Sequence, residues 1–181
     1  MRVYECDPNV ELIGFTARAL LENLNAEQVK PFLDAHRITE IEPESWYKVK
    51  DLLAVLNDIV RSGASAGNFV AIGMKAVETT PMPPELAQLA FGDFLMGYSE
   101  VFKQLHRNGD GGTVWTEKAG PNHYVLHYHV PYPDDIMYGV LFAYARHFLP
   151  EDTYYLVAYD EEVPTRDHGG DETLIHVSWE G

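Results

Sequence analysis

A chain of 181 residues with 46% hydrophobic content is long enough to bury the core of one domain. Its 28 acidic residues against 13 lysines and arginines, a formal net charge of −15, exclude the basic patch that nucleic acid or an anionic membrane surface requires. No run approaches the roughly 18 apolar residues of a membrane helix, and "MRVYECDPNV" lacks the apolar centre of a signal peptide, so a single cytoplasmic domain over residues 1–181 is expected.

The first half of the chain reads as helices. "TARALLENL" at 16–24 suits one, and Asn25 with Gln28 three positions on has the spacing of a capping box for the next, "AEQVKPFLDAHR", with Pro31 near its first turns. Pro43 offers a first-turn residue for a helix running to about Arg61, in which Val49, Leu52, Leu53, Leu56, Ile59 and Val60 recur at helical spacing, and Gly63 ends it. The "GASAGNFVAIGMK" that follows misses the phosphate-loop spacing, since five residues separate Gly67 from Gly73 and Met74 precedes Lys75. Ser65 within it has the letters of a nucleophile elbow but no preceding strand. Pro81, Pro83 and Pro84 precede a long helix predicted over 85–107, with Phe94, Tyr98 and Phe102 on its apolar arc and His106 at the margin.

The second half reads mostly as strands. "NGDGG" starts a hairpin of "TVWTEK", the turn "AGPN" and the strand "HYVLHYHV". "PYPDD" then opens an almost wholly apolar helix at 135–148, where Asp134 or Asp135 can accept from the free amides, and "TYYLVAYDEE" and "ETLIHVSWE" complete the set. The expected class is α+β: N-terminal helices packed on a four-stranded antiparallel sheet, with one crossover helix between its second and third strands. "TYYLVAY" is apolar on both faces, which predicts a second covering layer or a second subunit, hence a candidate homodimer.

Along "HYVLHYHV" the period of two puts Tyr124, Leu126, Tyr128 and Val130 toward the core and His123, His127 and His129 away from it, with His176 of the last strand on the same side. Histidines at alternate strand positions can share an ion, so His123, His127, His129 and His176 are candidate Zn²⁺ ligands; a solvated strand face is the simpler explanation of them. The lone Cys6 supports neither an internal disulfide nor a thiolate metal site, and Asp167, His168 and Asp171 belong to a polar loop.

"WYKVKDLLAVLNDIV", the helix leading into "NGDGGTVWTEKAG", and "HYHVPYPDDIMYGVLFAYARHF" followed by two strands ending in "HVSW" together resemble one superfamily. It contains 4-vinyl reductase domains, haem nitric-oxide/oxygen-binding (H-NOX) domains and Golgi transport-particle subunits, and the likeness runs from about residue 11 through most of the chain. The resemblance implies an enclosed apolar pocket between helices and sheet and a sensory, ligand-binding role. On the aromatic supply, Phe94, Tyr98, Phe102, Tyr128, Tyr138, Phe142 and Trp179 are its candidate lining.

H-NOX members imply haem, held at its propionates by a Y-x-S-x-R strand. Tyr128 matches the tyrosine here, but Val130 stands at the serine position and Tyr132 at the arginine position, which removes the fork partner of two carboxylates. The candidate axial ligand is His106. The leading expectation is therefore a non-enzymatic sensory domain for a small apolar or aromatic molecule, working with a signalling partner protein or a second subunit. The alternatives are a histidine-ligated metal enzyme, a haem-based gas sensor and a protein-interaction scaffold.

Overall fold

The computed structural model describes residues 2–63 and 66–181, so Ser65 lies outside the described residues. In chain order the elements are β1 (Glu11–Ile13), α1 (Gly14–Ala17), α2 (Ala19–Glu22), α3 (Ala26–Ala35), β2 (Trp46–Lys48), α4 (Val49–Arg61), α5 (Ala66–Thr79), α6 (Pro84–Ala87), α7 (Phe91–Gln104), β3 (His106–Arg107), β4 (Thr113–Gly120), β5 (His123–His129), α8 (Asp134–Phe148), β6 (Tyr155–Tyr159) and β7 (Thr173–Trp179). A single 3₁₀ turn, Arg166–His168, lies between β6 and β7.

The expected four-stranded antiparallel sheet is present in the order β4-β5-β7-β6, with α8 as the crossover between its second and third strands. Leu126 faces Thr116 and Ile175, and Tyr128 faces Val114 and Thr173, so the inward residues of adjacent strands stack in rows. Helices α7 and α8 lie on this inner face; the Thr116 hydroxyl reaches across to donate to the Leu95 carbonyl of α7 at 2.7 Å.

Three expected helices change. The helix predicted from Pro43 starts only at Val49, because Trp46–Lys48 pairs with Glu11–Ile13 as an edge strand. The helix predicted over 85–107 is two helices, and its end, His106–Arg107, unwinds to pair with β1, giving a second sheet in the order β2-β1-β3. The stretch at 16–24 is likewise broken, between α1 and α2. Among the described residues no layer of this chain covers the outer face of β6: Leu156 is 50% exposed and Tyr154, just before the strand, 66%.

Helices α5 and α8 cross in backbone contact. A Cβ on Gly73 would fall on the Ile136 carbonyl and one on Gly139 on the Val70 carbonyl, so only glycine permits the approach from either side. The start of α8 is fixed by a buried network. The Arg166 guanidinium donates to the backbone carbonyls of Val130 and Tyr132 and to the Asp134 carboxylate, Thr173 donates to Asp134 at 2.7 Å, and Asp134 and Asp167 each accept from the other's backbone amide at 2.8 and 2.9 Å. Arg166 and Asp134 are 5% and 2% exposed, so neither charge has water to fall back on. Arg166→Ala is expected to lower unfolding free energy by about 3–5 kcal/mol, measured by urea denaturation, because it strands the Asp134 charge. A loss below about 1 kcal/mol would contradict this role.

Candidate functional site

The N-terminal helices meet α7 and α8 around an apolar cavity of about 80 Å³. Leu12, Leu20, Leu52, Leu56, Ile72 and Ala76 line it from one side, and Tyr98, Phe102, His106, Tyr132, Met137, Val140 and Tyr144 from the other. Besides the phenols of Tyr98 and Tyr144, its wall holds two hydrogen-bonded pairs of polar side chains. The Thr16 and Thr80 hydroxyls bond at 2.8 Å, and His106 Nε2 meets the Tyr132 hydroxyl at 2.7 Å while its Nδ1 bonds the Phe102 carbonyl at 2.8 Å. That carbonyl accepts from Nδ1–H, which makes Nε2 the acceptor and Tyr132 the donor.

His106 reaches the cavity because α7 ends at Gln104 and the chain turns into β3, which swings the imidazole back over the last helical turn. Its ring packs 4.5 Å from that of Phe102 and 5.8 Å from that of Tyr132. Burial pushes the His106 pKa below the usual histidine value, against the opposing pull of the Phe102 carbonyl, so the imidazole is neutral at neutral pH. Burial also raises the phenols of Tyr98, Tyr132 and Tyr144, the last to about 12. The cavity thus holds no ionised group from these four side chains.

Of the seven aromatic residues expected to line a pocket, Tyr98 and Phe102 do so. Phe94 packs instead on Tyr144 and Phe148, at ring separations of 4.7 and 4.5 Å, and Trp179 stacks on Tyr124 at 5.5 Å. Tyr128 is fully buried in the core behind them. Tyr138 and Phe142 face the opposite side of α8, against Tyr159 and Tyr155 of β6. Sequence reasoning missed Tyr132, Met137, Val140 and Tyr144. The last three sit at helical spacing on one stripe of α8, but an all-round apolar helix does not say which stripe borders empty space.

The four histidines proposed as metal ligands do share the outer face of the sheet, though not around one point. His123 Nε2 bonds His176 Nδ1 at 2.8 Å, and His176 Nε2 bonds Asp160 at 2.9 Å. His127 bonds Glu172 at 3.1 Å and stacks on Trp115, while His129 is exposed. Among the described residues no three His, Cys, Asp or Glu side chains are grouped to hold a metal ion.

No family model matches the chain, and no curated protein is similar to it in sequence. Solved structures are similar in shape. An oxygen-binding H-NOX domain related to soluble guanylate cyclases superposes with a TM-score of 0.66 at 15% identity, over 93% of both chains. The fold is that of an H-NOX domain. An S. oneidensis H-NOX protein in the Fe(II) ligation state gives 0.64 at 15% identity over 94% of this chain and 97% of its own, and a T. tengcongensis H-NOX variant 0.65 at 14% over 93% and 95%.

Haem is the group this fold implies, and the cavity does not suit it. Helix α7, Phe91–Gln104, carries no histidine, and the one just past its end, His106, has both ring nitrogens hydrogen-bonded within the chain. The lining contains no lysine or arginine to meet two propionates, while the buried Arg166 is spent on Asp134 and two backbone carbonyls. The volume of about 80 Å³ falls well short of the roughly 300–1,000 Å³ typical of larger ligand sites, and the backbone contact at Gly73 and Gly139 leaves α5 and α8 no room to part without losing it.

The depressed His106 pKa has a pH signature. Below the unfolded value of about 6.5 the unfolded chain takes up a proton that the buried imidazole refuses, so stability falls as pH falls through that window. Urea midpoints measured from about pH 7.5 to about pH 5.5 are expected to decline, and to decline less in His106→Gln. Identical slopes in the two proteins would contradict the buried neutral imidazole.

Proposed function

We propose that this chain is a non-catalytic sensory domain whose cavity takes a small apolar molecule of a few heavy atoms, without haem. The observation that carries the reading is the cavity wall: mostly hydrocarbon and aromatic side chains without a formal charge, in which Thr16 bonds Thr80 and His106 bonds Tyr132. An engineered apolar cavity of about 150 Å³ stays dry and binds benzene or xenon, so a smaller one of the same character suits a xenon-sized atom, a diatomic gas or a short hydrocarbon. The similarity in fold to an oxygen-binding H-NOX domain supports a sensory role. The wall offers no nucleophile with an adjacent free base, which speaks for binding over chemistry.

Occupancy has a route outward. A molecule pressing on Tyr132 acts on the His106 hydrogen bond on one side and, through the Tyr132 carbonyl, on Arg166 on the other. Those contacts connect the cavity to β3 and to the loop before β7, where a signalling partner protein or a second subunit could read the change. No helix among the described residues is long and apolar enough to cross a membrane, and the proposed setting is the cytoplasm.

The test is a panel of small apolar molecules, xenon and short alkenes among them, scored by the shift in unfolding midpoint. A ligand at about one hundred times its Kd should stabilise the protein by about 2.7 kcal/mol. Ala76→Leu, which fills the cavity from α5, should abolish the shift while the protein stays folded. Haem added to the purified protein should give no Soret band that depends on His106. A His106-dependent Soret band, or stabilisation that survives Ala76→Leu, would overturn the reading.

A further inference from the structure

We infer that the outer face of the four-stranded sheet docks a positively charged, amphipathic segment of a partner protein. Helices cover the inner face, yet the outer one is open and carries large apolar side chains at both edges. Trp115 on β4 is 47% exposed and Leu156 on β6 50%; they stand at diagonal corners of the face about 20 Å apart, three strand spacings across and four residues along, since Trp115 shares a row with His127 and Leu174 and Leu156 shares one with Ser178 and His123. Between them lie Val125, Leu174 and the histidines, so the face is an apolar band with a polar middle.

The charge of the rim selects the partner. Glu117, Glu172, Asp160 and Glu180 point to this side, and the outward positions of the four strands include no lysine or arginine. A second copy of the chain would set these carboxylates against their own images, which like-charge repulsion opposes. A segment carrying lysine or arginine beside leucine-like side chains would satisfy both the rim and the band.

One cluster is already arranged for a cation. His127 is 9% exposed and stacks on Trp115 at 3.4 Å between ring centroids, and its Nδ1 lies 3.1 Å from Glu172. Its Nε2 is buried with no hydrogen-bond partner among the described residues, Glu117 standing 3.8 Å away. The Glu117 and Glu172 carboxylates flank the stacked pair and remain open to solvent, so an ammonium or guanidinium arriving there meets two carboxylates and the open face of the Trp115 indole.

The experiment titrates the full-length protein with a labelled synthetic amphipathic peptide of leucine and lysine, followed by fluorescence anisotropy, with the glutamate-for-lysine peptide as the second arm. Saturable binding of the lysine peptide is expected, weakening with added salt, and about tenfold weaker in Trp115→Ala and in the Glu117→Gln/Glu172→Gln pair. Glu78→Gln/Glu100→Gln, which removes two exposed charges on helices away from this face, should leave binding unchanged. Leu156→Ala, at the far edge, repeats the test without touching the indole–imidazole stack. The inference is overturned if the peptide does not bind, if the helix-surface pair weakens it as much as the sheet-face pair, or if the glutamate peptide binds equally. It is also overturned if sedimentation reveals a dimer that Trp115→Ala dissociates, which would give the face to a second copy.

Discussion

Arg166 and Asp134 lie side by side with almost no solvent, and four pieces of chain converge on them: the exit of β5, the first turn of α8, the 3₁₀ turn and the first residue of β7. A buried ion pair contributes little net stability over a well-packed apolar substitute, but it accepts few alternative arrangements, since each donor must find its acceptor. Here the constraint falls on the short segment 130–134. With the carbonyls of Val130 and Tyr132 both held by one guanidinium, the Tyr132 side chain can only turn inward, where its hydroxyl meets His106. The cavity wall is therefore set from the far side of the strand.

The same segment separates this chain from the haem proteins whose fold it shares. A backbone arrangement can persist while the side chains at its centre change the chemistry on offer. In this chain the glycine crossing of α5 and α8 draws the layers together, the imidazole is tied to a tyrosine, and the buried Arg166 guanidinium serves Asp134 and the backbone. What is left is a small, mostly apolar space without a formal charge in its lining, suited to shape and dispersion rather than to coordination.

The sheet was legible because its strands are long enough for the period of two to speak: β5 buries Tyr124, Leu126 and Tyr128 inward as the alternation requires. The second sheet was not, since strands of two and three residues carry no periodicity, and helical patterning across 85–107 continued through the break before Phe91. His106 was singled out, but as the end of a helix; only the pairing with β1 explains why it faces inward. Arg166 left no trace at all. In "VPTRDHGGD" it reads as one more charge in a polar loop, and nothing local shows that its partners are 32 to 36 residues away. Cavity-lining leucines such as Leu52 and Leu56 were equally silent, because a residue facing a void and one facing a neighbour obey the same helical pattern.

The most direct test of the cavity's character is crystallographic: diffraction from crystals held under xenon pressure. A dry apolar chamber predicts one ordered xenon atom in contact with Phe102, Tyr132 and Val140, with the His106–Tyr132 hydrogen bond visible beside it. Well-ordered water in that position, hydrogen-bonded to His106 and excluding xenon, would contradict it.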